Sequence, residues 1–324
     1  MSENLTLVQA VRDGLRDEMA EDDDVLVMGE DVGKNGGVFR ATEGLFDEFG
    51  DERVIDTPLA ESGIIGTAVG MAAYGLKPVP EIQFSGFMYP GFDQIVSHMA
   101  RLRTRSRGRF TCPMVLRAPM GGGIRAPEHH SESKEAFYVH EAGLKVAMPS
   151  TPYDAKGMLI SAIRDPDPVI FLEPKKIYRA FREEVPDDPY EVELGEAAVR
   201  REGSDVSVFT WGAMTRPAME AADNIEDIDV EVVDLRSLSP IDFDTVVESF
   251  KKTGRAAIVH EAPNTCGVGA EITATLQEEA LLYQEAPIER ITGFDVPFPL
   301  AALEDYYLPE PERIESGIRE AFEF

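Results

Sequence analysis

Short runs of β-branched residues alternate along this chain with stretches in which apolar residues recur at every third or fourth position. The first pattern suits buried strands, and the second suits helices packed by one face. In alternation they predict a mostly parallel sheet covered by helices, the α/β class. Two such series are present. The first predicts a helix over 7–20, a strand over 25–29, an apolar helix after Glu61, a strand near 79–84 and a helix over 92–105. Strands over 114–118 and 144–148, a helix over 152–164 and a strand over 169–172 complete it. The last of these helices has a well-marked start, with Thr151 as cap, Pro152 in the first turn and Asp154 near the positive end of the helix dipole.

The second series predicts strands over 206–211, 230–235, 256–260 and 288–291, with helices over 215–224, 243–250 and 268–282 between them. Between the series the chain turns polar and proline-bearing, through Glu183, Glu184, Pro186, Asp187, Asp188 and Pro189. Such composition marks a linker. The expected organisation is a first domain over 1–180, a linker over 181–204 and a smaller second domain over 205–324. A chain of 324 residues, 43% of them hydrophobic, is long enough for two such cores.

Charge then narrows the function. With 31 basic and 60 acidic residues the formal net charge is −29, a surface that repels phosphate and argues against nucleic acid or an anionic membrane as partner. The acid is spread through 21–24, 183–188, 226–229 and 310–315 rather than gathered in a tail. Only nine of the basic residues are lysine. An acidic, lysine-poor coat predicts a salt-loving source, since at about 1 M salt the Debye length falls to roughly 3 Å and self-repulsion is screened. Cys112 and Cys266 lie far apart with no metal or redox spacing, and both read as small buried hydrophobes. The first residues lack a basic region followed by an apolar one, and the longest apolar run, 63–76, is too short for a membrane span, so a cytoplasmic protein is expected.

The common phosphate-binding and nucleophile motifs are absent: neither G-x-G-x-x-G, G-x-x-x-x-G-K-[ST] nor G-x-S-x-G occurs. Gly121, Gly122 and Gly123 follow the 114–118 strand at its C-terminal end, where open α/β sheets bind ligands, though a flexible turn accounts for them equally well. Three of the five histidines fall between His129 and His140, and the adjacent pair His129 and His130 lacks the spacing of a helical metal pair. One of them reads either as a proton donor or substrate contact, or as part of a polar loop. Glu61 stands at the head of an almost wholly apolar, small-residue stretch that should be buried on most sides. There it either complements a helix dipole or serves a ligand, because a buried carboxylate needs a partner.

The segments Asp56-Thr57-Pro58-Leu59-Ala60-Glu61-Ser62-Gly63-Ile64-Ile65-Gly66, Glu81-Ile82-Gln83-Phe84 and Phe92-Asp93-Gln94-Ile95 open a longer ordered series. His130-Ser131-Glu132-Ser133, Gly143-Leu144-Lys145-Val146, Ala155-Lys156-Gly157 and His260-Glu261-Ala262-Pro263 continue it. Across nearly the whole chain this series resembles the beta subunit of the thiamine-diphosphate-dependent 2-oxo acid dehydrogenases. The resemblance implies a transketolase-like fold: a pyrimidine-binding parallel-sheet domain followed by a smaller α/β C-terminal domain. It also implies an α2β2 heterotetramer with thiamine diphosphate at the interface. In that family the alpha subunit holds magnesium and the diphosphate through a Gly-Asp-Gly motif, which this chain lacks.

Carried over by resemblance, the Glu61 carboxylate hydrogen-bonds the cofactor's aminopyrimidine and favours the imino tautomer that removes the thiazolium proton. Phe87 matches the aromatic that packs on that ring. His130 matches a histidine that contacts substrate or the incoming lipoyl arm of an acyltransferase core. A structural potassium would fall at Met114, Ala162, Ile163, Asp165 and Asp167, where Asp167 replaces the usual Asn. Docking of the acyltransferase's small binding domain would use Glu285, Glu289 and the carboxylate of Phe324. The implied reaction is oxidative decarboxylation of a 2-oxo acid with reductive acylation of lipoyl groups. Pyruvate is favoured slightly over branched-chain 2-oxo acids and acetoin, and a noncatalytic scaffold subunit is the alternative of another class.

Overall fold

The structure is a computed structural model that describes residues 2–324. Seven strands form the first sheet, in the order Ser237–Ser239, Lys145–Ala147, Val169–Pro174, Val115–Met120, Lys77–Glu81, Val25–Gly29 and Val54–Asp56. All neighbours are parallel except the first pair. Every residue of Val25–Gly29, Val115–Met120 and Val169–Pro174 is buried. Both faces of these strands are covered, which is why they read as unbroken apolar runs. Helix Leu7–Glu21 buries Leu7, Val8, Val11, Leu15 and Met19 and packs along Pro152–Arg164. The latter helix starts as its sequence dictates, with Thr151 Oγ1 accepting from the Asp154 amide at 3.1 Å.

A second sheet of five strands runs Glu289–Gly293, Ala256–Pro263, Val206–Thr210, Val230–Asp234 and Ala198–Arg201. It is parallel except for its last pair. Helices Thr215–Asn224, Phe243–Thr253, Val268–Glu279 and Pro311–Glu323 cover it.

The 181–204 segment is not a free linker. Glu183–Pro186 pairs antiparallel with Ser2–Leu5, and Ala198–Arg201 is the edge strand of the second sheet. Its polar, proline-bearing composition reflects edge strands exposed on one side, which resemble loops by composition alone. The two units also interlock, because Ser237–Ser239 leaves the second unit to extend the first sheet beside Lys145–Ala147. Arg200 and Arg236, from the second unit, both engage Asp154 in the first turn of Pro152–Arg164.

Three further expectations are corrected. Gly121, Gly122 and Gly123 are neither a ligand loop nor a loose turn. They are where the units touch: a Cβ at Gly121 would stand 1.8 Å from Glu261 Oε1, and one at Gly122 2.6 Å from the Phe298 ring. Cys266 is exposed at a backbone φ of 56°, whereas Cys112 is buried and its thiol is pushed up to about 12 by desolvation. The helix Glu61–Tyr74 buries only Ile64, Ile65, Ala68 and Ala72, leaving Thr67 and Gly70 open and Tyr74 90% exposed. Small apolar residues line both its faces, but this chain covers only one. No helix among the described residues is long and apolar enough to cross a membrane.

Candidate active site

Three segments converge at the C-terminal edge of the first sheet. Glu61 begins its helix there, in the first turn where the dipole favours an anion. The tight turn Ser85–Gly91 follows strand Lys77–Glu81, in the interval the sequence left between a strand near 79–84 and a helix over 92–105. The short turn Glu128–His130 comes from the loop after Val115–Met120. Close approach explains the two glycines of the middle segment. A Cβ at Gly86 would lie 2.0 Å from the His129 carbonyl oxygen, and one at Gly91 2.4 Å from Ile65 Cδ1.

Polar contacts lock the loops together. Tyr89 donates its hydroxyl to Glu132 Oε2 at 2.8 Å, Ser85 donates to the Glu132 carbonyl at 3.1 Å, and Ser62 donates to the Pro90 carbonyl. Desolvation and the Glu132 carboxylate both raise the Tyr89 hydroxyl far above the ordinary tyrosine value, so it stays a donor.

Between these loops lies a cavity of about 460 Å³ lined by Glu61, Gly86, Phe87, Tyr89, Pro90 and the segment 127–130. Glu61, Phe87 and His130 therefore line one cavity. Glu61 is half-buried and its carboxylate has no hydrogen bond or ion pair among the described residues. Nearby Glu30 has its carboxyl raised by desolvation and by the Glu61 charge. The His130 ring is wedged edge-on against Phe84 at 4.5 Å and Phe87 at 4.9 Å, and these two rings meet at 5.5 Å. Its Nδ1 is buried without a hydrogen-bond partner. The arrangement offers an apolar aromatic surface, a carboxylate acceptor and an imidazole around one cavity, a lining suited to a heteroaromatic ring.

Sequence reasoning passed over Tyr89, Gly86 and Gly91, and gave Phe84 no role of its own. The available signal was the dense aromatic and glycine content of 84–91. Buried polar groups also lie behind the site. Ser133 donates to Glu261 Oε1 at 2.6 Å across the unit boundary, and Trp211 stacks on His260 at 5.1 Å while reaching Glu135 at 3.4 Å. Burial pushes Glu135 up to about 7 and His260 down to about 4, and lowers Lys175 to about 8.

The five potassium candidates cluster where 162–169 passes 112–114. The Met114 carbonyl accepts from the Val169 amide at 3.0 Å, and Asp165 Oδ1 accepts from the Asp167 amide at 2.9 Å. Asp165 also pairs with Lys145, and one oxygen of the Asp167 carboxylate is taken by Arg103. Among the described residues no group of three or more His, Cys, Asp or Glu is placed to hold a metal. The docking candidates lie together on the second unit. Glu285 pairs with Arg255 at 2.7 Å, Arg255 sits over the Phe322 ring at 5.5 Å, and Phe324 is 82% exposed. Glu289 is half-buried, and desolvation with the Glu320 charge raises its carboxyl.

Comparison with known proteins agrees with this architecture. Residues 3–180 match the transketolase pyrimidine-binding domain and residues 195–314 the transketolase C-terminal domain. The pyruvate dehydrogenase E1 component subunit beta of Bacillus subtilis (strain 168) is 52% identical over 322 residues, covering 99% of each chain. The subunit of the same name from Acholeplasma laidlawii is 51% identical over 317 residues and 97% of each chain. Among solved structures, a split-gene transketolase in an inactive beta4 tetramer superposes with a TM-score of 0.81 over 99% of both chains. At 23% identity that likeness speaks for the fold alone. With a transketolase-like fold matched over both units and half its residues shared with these subunits along almost its full length, the chain belongs to the family of pyruvate dehydrogenase E1 component beta subunits.

Proposed function

We propose that this chain is the beta half of a thiamine-diphosphate-dependent dehydrogenase component. With an alpha subunit in an α2β2 assembly, it decarboxylates pyruvate and passes the acyl group to a lipoyl arm. The observation that carries the reading is the meeting of Glu61, Phe87 and His130 at one cavity, with Glu61 unpartnered in this chain. The cavity fits the aminopyrimidine end of the cofactor: a flat apolar wall, a carboxylate acceptor and a volume of about 460 Å³. Bound thiamine diphosphate supplies an electron sink for the pair left when carbon dioxide departs from a 2-oxo acid.

This chain's residues prepare and protect that chemistry. Glu61 would hold a proton at the pyrimidine ring nitrogen of the bound cofactor and so favour its imino tautomer. Phe87 would pack on that ring and exclude water, which would strengthen the Glu61 hydrogen bond. His130 presents Nε2 to substrate or lipoyl, its ring fixed by Phe84 and Phe87. By the family resemblance the diphosphate and magnesium would be held by the alpha subunit, through a Gly-Asp-Gly motif that this chain lacks. The open face of Glu61–Tyr74, with its small apolar residues, suits that partner. Potassium would be held by carbonyls among Met114, Ala162, Ile163, Asp165 and Asp167. The acyltransferase would dock near Glu285, Glu289 and Phe324, where rim charges set its association rate.

The test is co-expression with an alpha-type subunit, across salt concentrations that include molar salt. Cofactor-dependent release of carbon dioxide is assayed from pyruvate and branched-chain 2-oxo acids, beside acetoin cleavage. Pyruvate should be preferred. A well-folded, cofactor-loaded heterotetramer that releases nothing from any 2-oxo acid would overturn the reading, and acetoin cleavage or a scaffold role would take its place.

A further inference from the structure

Away from the catalytic cavity, a second cleft of about 450 Å³ lies where the start of the first helix meets the 40–43 loop and the 179–182 segment. Its walls carry Arg12, Arg40, Arg179 and Arg182, with Glu43 as the one carboxylate residue lining it. Arg216 adjoins it, over the Phe181 ring at 5.4 Å. In a chain with 60 acids and 31 bases, arginines normally find carboxylates. Here Arg40, Arg179, Arg182 and Arg216 have no ion pair among the described residues, and Arg12 has only the long contact to Glu43 at 3.5 Å.

Few of their donors are spent, and those that are fix the scaffold. Arg179 Nη2 donates to the Phe39 carbonyl at 2.6 Å, and Arg40 donates to the Asn35 carbonyl. Arg182 Nη1 donates to the Asn4 carbonyl at 2.8 Å and to Gln9 Oε1 at 2.9 Å. Each guanidinium is thus anchored by a carbonyl or amide oxygen while most of its five N–H groups remain available. Backbone strain supports the same reading: Arg40 sits at φ 66°, a left-handed conformation that β-carbon-bearing residues rarely adopt. Like charges gathered in a concave site repel one another unless something neutralises them, and an anion does so best where forks can bind it bidentately.

We propose that this cleft binds a small metabolite bearing several oxyanion charges, either a phosphate ester or a polycarboxylate. The volume lies within the usual range for small-molecule sites. Elsewhere the acidic coat repels such anions, so this would be a local site of attraction on a repulsive surface. The cleft also adjoins the aromatic group behind the catalytic cavity. The Phe39 carbonyl that Arg179 holds belongs to the residue whose ring meets Phe84 at 5.6 Å.

The experiment is calorimetric titration of the full chain with inorganic pyrophosphate and, separately, with citrate, at ionic strength held constant by potassium chloride. At least one should bind saturably with one site per chain, and the stronger binder decides between phosphate and carboxylate ligands. The double variant R179Q/R182Q should weaken binding about tenfold or more. Because those side chains also hold backbone, Arg40→Lys and Arg12→Gln are measured beside it. Each should weaken binding without lowering the melting temperature. No saturable binding of either probe by the parent chain, or equal affinity in all variants, overturns the proposal. So does binding that disappears once the alpha subunit is assembled, which would assign the arginines to a subunit contact instead.

Discussion

Two groups of polar side chains in this molecule lack the partners their chemistry calls for, and they differ in access. Glu61 and His130 face an open cavity, each half-buried. Glu135, His260 and Glu261 are sealed between the two units, where Glu135 Oε2, both His260 nitrogens and Glu261 Oε2 make no hydrogen bond of good geometry. The sealed group has the strongly shifted ionisations, Glu135 up to about 7 and His260 down to about 4, both driven by desolvation. Perturbation alone would therefore single out the sealed group, not the cavity proposed as the active site. A shifted pKa marks a functional site when a reactant can reach it, and otherwise records the free energy of burial.

The sharpest way to break this contrast is to neutralise one carboxylate in each group. In the assembled enzyme Glu61→Gln should fold normally and lose cofactor-dependent turnover by about 100-fold or more, because the amide cannot hold the proton in the way the carboxylate does. Glu135→Gln should leave turnover within a few-fold. Parallel assays of carbon dioxide release on the two variants check both, and a severe Glu135→Gln with a mild Glu61→Gln would reverse the assignment.

A second comparison lies inside the sealed group. The folded-state pKa of Glu135 lies above its ordinary 4.5, so between about 4.5 and 7 the folded chain binds more protons than the unfolded chain. Stability from that group is lost as pH rises through the window. His260 is depressed from 6.5 to about 4, so there the unfolded chain binds more protons and stability is lost as pH falls. The two slopes oppose each other over nearly the same range. Relative to the parent, Glu135→Gln should gain stability toward pH 7.5, and His260→Phe should gain it toward pH 4.5, each on the order of 3 kcal/mol. Denaturant unfolding of the full chain at both pH values measures this. Parallel slopes in the two variants would show that neither group titrates as its burial implies.

The same difference in access separates what was legible in the sequence from what was not. Central parallel strands such as Val25–Gly29 and Val169–Pro174 are buried on both faces, so their apolar runs announce them. Edge strands such as Ser2–Leu5, Glu183–Pro186 and Ala198–Arg201 are partly exposed and mixed in composition, and nothing in their spacing distinguishes them from loops. The final helix Pro311–Glu323 was missed for a weaker reason. Its buried Ile314, Gly317, Ile318 and Ala321 do follow helical spacing, but the acidic residues among them read as part of the surface coat. Glu61 and the His129–His130 pair stood out in the sequence, and Phe87 and the roles of Glu61 and His130 came by resemblance, while their juxtaposition comes from loops whose close approach depends on Gly86 and Gly91. Contacts between distant loops leave no period in a sequence.

The smallest expected effect tests whether Phe87 belongs to the open group or to the core. Its ring touches Phe84 and His130, as a core aromatic would, but it also lines the cavity and is only half-buried. Phe87→Tyr adds one hydroxyl and keeps the packing surface, so turnover should change by no more than a few-fold and stability by about 0.5 kcal/mol or less. Phe87→Ala separates the two roles. A ring that serves the cofactor should raise the thiamine diphosphate concentration needed for half-maximal activity while the melting temperature moves little, because a half-buried side chain leaves only a small cavity behind. A ring that serves the core should do the reverse, lowering the melting temperature with cofactor affinity unchanged. That second outcome would remove Phe87 from the site and leave Glu61 and His130 as the only pair connecting the open cavity to chemistry.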